Sequence, residues 1–291
     1  MPFLVLLFLL LPLPALALPL PEGLALGETV MALEAIDGDT IRLQTGGELR
    51  LSGLVAPKDD EPLAEAAKKT LDRLVRGKRL ILAAESAKDR FGRRRAQAGL
   101  EASGTWLQSE MLIRGLARVA SAADDSQGIK TLLALEESAR QERQGLWADR
   151  RYGIRKADHV PAGRFEIVEG TILASGRGVG RTYLNFGADW KTDFTLTLDG
   201  EASKLFREAK LTPAKMVGQK VRVRGFVILT NGPMIELSHP DQVEFLDPLP
   251  EKAIKPPYQS LFAKPGVRTH DHTPQPSCPG RPACPAGPCR L

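Results

Sequence analysis

Between residues 22 and 250 the sequence has no cysteine: Cys278, Cys284 and Cys289 all lie near the C-terminus. The folded region is therefore held by packing and hydrogen bonding alone, and the odd cysteine count leaves at least one thiol unpaired or intermolecular. None of the three forms a Cys-x-x-Cys pair, and an exported chain oxidises neighbouring thiols. This argues against a metal site built with His270, Asp271 and His272. A charge imbalance is also lacking where folding is expected. Residues 22–159 carry 23 basic and 22 acidic groups, residues 160–250 carry 11 and 11, and residues 251–291 carry 6 and 2. The net charge of +5 thus resides in the C-terminal segment, which excludes a protein-wide nucleic-acid footprint and leaves only a local one. Long apolar runs are confined to residues 3–20, FLVLLFLLLPLPALALPL, which excludes a multispan membrane protein. That run ends in the small-x-small pattern Ala15-Leu16-Ala17 and reads as a signal peptide, residues 1–17, whose removal places the mature protein in the periplasm or outside the cell. Pro12, Pro14 and Pro19 would break a spanning helix, so an uncleaved membrane anchor is the lesser reading, and no stable span remains after cleavage.

What is present is a punctuated β pattern. TVMALEAI, a turn at Asp37-Gly38-Asp39, TIRLQ, a turn at Gly46-Gly47 and ELRLSGLV predict a three-stranded meander. Pro62 then opens LAEAAKKTLDRLV, whose Leu63, Ala66, Ala67, Leu71, Leu74 and Val75 recur at helical spacing until Gly77. Two strands, KRLILA and RRAQAGL, flank the loop AKDRFGR, and helices are predicted over 106–114 and 129–144, with Trp106 and Trp147 as packing residues. After Arg155 the order repeats: FEIVEGTILAS, RTYLNFG, DFTLTLD, the helix ASKLFREAK, KVRVRGFVILT, a turn at Asn231-Gly232 and PMIELS. Strands and helix in the order βββ-α-ββ, twice, predict a mainly β fold with α elements (α+β): two consecutive OB-fold-like barrels, the first with appended C-terminal helices. The expected division is a first domain at 22–156, a second at 160–248, and a disordered segment at 251–291, where nine prolines and little apolar mass accumulate.

The motifs AIDGDTIRL, RLSGLVAP, DRFGRR, MLIRGLARV and LEESARQERQGLW are collinear with those of the thermonuclease family, the staphylococcal-nuclease-like phosphodiesterases, and residues 29–149 resemble it throughout. The resemblance implies an OB-fold enzyme that cleaves DNA or RNA with calcium, using carboxylate ligands, a glutamate that prepares water, and two arginines on the phosphate. Such chemistry needs cations, because negative charge grows on a phosphodiester in the transition state and guanidinium forks match its oxygens. Carried over residue by residue, Asp39 matches the first metal-binding carboxylate and Asp37 its acidic neighbour. Arg50 and Arg93 match the two phosphate-binding arginines, which are expected to converge beside Asp39 with Lys58 as a third cation on the rim.

Two family positions depart. Val55 stands where the family has Asp, and Lys58 where it has the glutamate after the proline. Together they move the local formal charge three units toward positive in a site that would hold a dication, and loss of a positioned base removes a further ~10²- to 10⁴-fold of rate. Calcium is the implied cofactor if the site is active, and none if it is not. Asp59, Asp60 and Glu61 are the residues that could substitute, although Pro57 fixes the register against it.

In the second unit GRGVGR, 176–181, lies between two strands and reads as a hairpin loop rather than a nucleotide fingerprint. Tyr183, Phe186, Trp190 and Phe194 fall within twelve residues, and strand alternation puts at least one ring outside the core, with Tyr183 and Trp190 the candidates for base stacking. Three readings follow. The first is an exported thermonuclease-like protein with a degenerate site that binds nucleic acid or nucleotide phosphate. The second is an active nuclease with rearranged carboxylates. The third is an envelope scaffold with a protein partner.

Overall fold

In the computed structural model residues 18–121 and 127–248 are described; the expected signal peptide and C-terminal segment, with its cysteines, lie outside them. Strands β1 (Leu26–Ala35), β2 (Thr40–Leu43), β3 (Glu48–Leu51) and β4 (Leu54–Val55) are followed by helix α1 (Ala64–Val75), then β5 (Arg79–Ser86), β6 (Arg94–Leu100), α2 (Leu107–Ile113), β7 (Arg118–Val119) and α3 (Ile129–Gln141). The first five long strands close into a barrel in the order β1-β2-β3-β6-β5. A register shift between Ala32 and Glu34 lets β1 bend, so that its two ends pair with β2 and β5. The strand expected to run from Glu48 to Val55 breaks in two. Gly53, at φ 78°, turns the chain out of the barrel, and β4 pairs instead with β7. Helix α1 buries Ala64, Ala67, Leu71 and Val75; of the stripe expected from spacing, Ala67, Leu71 and Val75 are buried, whereas Leu63, which caps the helix, and Ala66 are exposed, and Ala64 takes the inward position of the first turn.

The second unit comprises β8 (Arg155–Lys156), β9 (Phe165–Thr171), β10 (Ala174–Gly178), β11 (Arg181–Asn185), β12 (Thr195–Leu198), α4 (Gly200–Glu208), α5 (Pro213–Met216), β13 (Lys220–Leu229), β14 (Pro233–Leu237) and β15 (Val243–Phe245). Its sheet runs β10-β11-β12-β14-β13-β9. The path continues from β9 to β8, and β15 pairs with β13. Because β9 and β10 are successive stretches of one expected strand, interrupted at Ile172-Leu173, that segment takes part near both ends of the sheet, which curls on itself. In each unit the third and fifth strands are parallel, β3 with β6 and β12 with β14. The fold is thus mixed α+β with two OB-like barrels. Helix α4 is capped by Asp199, whose carboxylate accepts from the Ala202 amide at 2.8 Å. The GRGVGR segment forms the β10–β11 hairpin, with Gly178 paired to Arg181 across Val179-Gly180.

Each barrel has its own apolar core, and a third cluster of Ala139, Trp147 and Ile167, with Ile154 and Phe165 against it, links them. At the end of the expected first domain Tyr152 is 4% exposed, and Arg155–Lys156 already pairs with β9. The Tyr152 hydroxyl donates to the Pro62 carbonyl at 2.7 Å, and burial pushes its pKa up from 10.0 to about 12. The neutral phenol is therefore the form the fold prefers. Its contribution is complete below pH 10 and is lost as pH rises toward 12. An absorbance titration is expected to show one tyrosine ionising late, and Tyr152→Phe should remove that late step; a late step surviving in the variant would contradict the assignment.

Candidate functional site

The site is built on the β1–β2 turn. The Asp39 amide donates to Asp37 Oδ1 at 2.8 Å, which fixes the turn. Gly38 is required by close packing: a Cβ there would lie 2.6 Å from the Ala56 Cβ and 2.7 Å from the Ala67 Cβ. Asp39 is wholly buried. Its Oδ2 accepts from the Ala56 amide at 2.8 Å and its Oδ1 from the Thr40 hydroxyl at 3.1 Å. Strand register sets Arg50 opposite Thr40, which brings its Nη1 within 2.8 Å of Asp39 Oδ1.

Lys58 completes the cluster. Its ammonium bonds Asp39 Oδ1 and lies 2.5 Å from Asp37 Oδ2, so it is clamped between the two carboxylates rather than standing on the rim. Two carboxylates meet two cations, and the formal charges cancel. Burial pushes the Asp39 carboxyl above its usual range against the pull of Arg50 and Lys58. At half-buried Asp37, burial is opposed by Lys58, whose charge and hydrogen bond hold the carboxyl below its usual range.

These residues do not fit a calcium ion. Calcium gathers six to eight oxygens; here Val55 offers an apolar side chain, Ala56 meets Asp39 through its N–H, and an ammonium already bridges the carboxylates. Among the described residues no three His, Cys, Asp or Glu side chains are grouped to hold a metal ion. Glu61 accepts from the Lys58 amide at 2.8 Å, and Asp60 and Glu61 line a different cavity.

The structure brings Asp37, Asp39, Arg50 and Lys58 together. Arg93 is held in its own loop by Asp89, Nε to Oδ2 at 2.6 Å, with its guanidinium 5.1 Å from the Phe91 ring. Burial acts against that carboxylate, but the Arg93 bonds prevail and keep Asp89 below its usual range. Val55 is half-buried opposite Arg118. Tyr183 is half-buried on β11, its ring close to Gly178. Trp190 is 47% exposed beneath the Lys191 ammonium, 5.8 Å away, and Phe194 is core. Sequence reasoning missed the clamp role of Lys58. The signal available was charge parity, two acids and two bases at the family positions, but the partners were not.

Residues 48–149 match the family model described as staphylococcal nuclease homologue, about a third of the chain. Arg50, Val55, Lys58 and Arg93 fall inside the match, and Asp37 and Asp39 precede it. No curated protein matches the chain.

Proposed function

Starting from a staphylococcal-nuclease-like domain at residues 48–149, we propose that this protein is an exported, hydrolytically degenerate member of that fold which holds nucleic acid or nucleotide phosphate without a metal ion. One observation carries the reading: the Lys58 ammonium sits on both Asp37 and Asp39, supplying inside the protein the positive charge that a dication would otherwise bring. Val55 removes the remaining side-chain ligand, and no general base stands at position 58 to orient water. The phosphate-binding capacity rests on the arginines. Arg50 meets Asp39 through Nη1, and a guanidinium has five N–H donors, so others are left for phosphate oxygens. Arg93 is about one-fifth exposed. Export is supported by the apolar segment at residues 3–20.

Because the inner charges cancel, affinity should be low. A log-log salt slope of about one to three is expected, reflecting few phosphate contacts. In a plasmid-digestion assay the full chain should give no EDTA-sensitive cleavage at millimolar calcium. Single-stranded DNA should bind equally with calcium or EDTA, and Arg93→Ala should weaken binding while Lys252→Ala with Lys255→Ala leaves it unchanged. Robust calcium-dependent cleavage, or binding indifferent to Arg93, would defeat the proposal.

A further inference from the structure

We propose that a cavity between β7 and the loop after Lys58 is a binding site for a small zwitterion, a carboxylate carrying its own ammonium group, of the chemical class of a free amino acid. The site is distinct from the Asp39 cluster. The cavity measures about 240 Å³ and is lined by Arg118, Tyr152 and Phe165 at one part of its wall and by Asp60 and Glu61 at another. This is smaller than the ~300 Å³ at which pockets for drug-sized ligands begin.

Arg118 is the reason to expect a ligand. Its residue is 6% exposed, and its guanidinium carbon lies 5.1 Å from the Tyr152 ring centre and 5.0 Å from that of Phe165. Both rings lie within cation–π reach of the guanidinium, but a ring offers no lone pair, and the N–H donors call for oxygen acceptors. The buried Arg224 has such acceptors in Glu136 and Glu244. Around the same cavity, Arg151 is paired with Asp149 and Arg164 with Glu166. Arg118 has no hydrogen bond to a carboxylate or carbonyl among the described residues. Glu166, Glu136 and Glu61 act on it only through space, and burial outweighs them, pushing its pKa below the usual range. A guanidinium nonetheless stays charged, so Arg118 is a largely buried cation whose N–H donors open onto the cavity with no carboxylate or carbonyl partner among the described residues.

The remaining charges select the ligand. A carboxylate matches the guanidinium fork in two parallel bonds. Phosphate also offers oxygens, but Asp60 and Glu61 share the cavity and would repel a dianion. Asp60 is exposed and has no ion pair among the described residues, so it is available to an ammonium group; Glu61 keeps one oxygen on the Lys58 amide. A buried cation with exposed anions on the same wall is complementary to a zwitterion.

The test titrates the full chain at low salt with glycine, acetate or inorganic phosphate, following the Arg118 Nε–Hε resonance. Glycine is expected to saturate about fivefold more tightly than acetate, the gain of one partly exposed ion pair, with phosphate weakest. Asp60→Asn should bring glycine down to the acetate level, and Arg118→Lys should weaken both. Because Arg118→Met removes a buried side chain and could unfold the domain, the exposed Asp60→Asn variant decides the zwitterion claim. Absence of saturable binding, tightest binding by phosphate, or glycine affinity unchanged in Asp60→Asn would overturn the proposal.

Discussion

Glu136→Ala is expected to lower the unfolding free energy by about 3–5 kcal/mol, the usual cost of leaving a buried charge without its partner. Glu136, on α3, is 3% exposed and bonds Arg224 of β13 at 2.7 Å; Arg224 is 2% exposed. Arg224 also donates to the Val119 carbonyl at 3.2 Å and pairs with Glu244, while its Nε has no partner. The same glutamate accepts from the Val119 amide. One carboxylate thus holds β7 in the first unit and β13 in the second. Removing it leaves the buried Arg224 with Glu244 as its one remaining carboxylate partner and frees a buried amide. Urea unfolding of Glu136→Ala measures the loss. The companion experiment is Glu136→Leu with Arg224→Met, which replaces the pair by apolar volume and should be less destabilised than either single change. A loss below about 1 kcal/mol in Glu136→Ala would show that the pair contributes no more than an exposed one.

The second large effect concerns the clamp. In a Val55→Asp, Lys58→Glu variant the ammonium disappears and two carboxylates join Asp37 and Asp39, with Arg50 left as the near cation. Without metal these anions repel, and the melting temperature is expected to fall below that of the parent. Calcium should then restore it, by about 2.7 kcal/mol when present at a hundredfold excess over its dissociation constant. The parent protein should show no calcium-dependent shift. With a glutamate again able to orient water, EDTA-sensitive cleavage should rise by about 10²- to 10⁴-fold over any parental background. Differential scanning fluorimetry across a calcium series separates the outcomes. If the variant gains neither calcium stabilisation nor cleavage, the Asp39 cluster is not a metal site relieved of its metal by Lys58, and the degenerate-nuclease reading fails.

The legible parts of this protein were those encoded over short stretches. The period-3.6 stripe of α1, the turn residues at Asp37-Gly38-Asp39 and the doubled βββ-α-ββ order were readable, because helix faces and turns depend on neighbours a few residues apart. Pairing could not be read with the same security. The break at Gly53, the transfer of β4 to β7 and the interruption at Ile172-Leu173 depend on where a strand finds its partner, and a continuous apolar run does not reveal that. Residues 150–156 looked like a boundary by position, yet their burial depends on what packs against Tyr152 from Pro62 and Arg118.

The sequence by itself determined the two-barrel architecture, the family resemblance and the identities at the site: Asp37, Asp39, Arg50, and the departures Val55 and Lys58. Tertiary structure alone decided that Lys58 turns inward onto both carboxylates, that Arg93 is held by Asp89, and that Arg118 is buried beside two rings with no carboxylate or carbonyl partner among the described residues. The physical reason is range. Residue type and local spacing fix which charges exist, but the partner of a charge is set by the three-dimensional path that brings side chains together, as with Arg224 and Glu136, 88 residues apart. In a low-dielectric interior that partner determines whether the same side chain acts as a ligand, a counterion or an unmet donor.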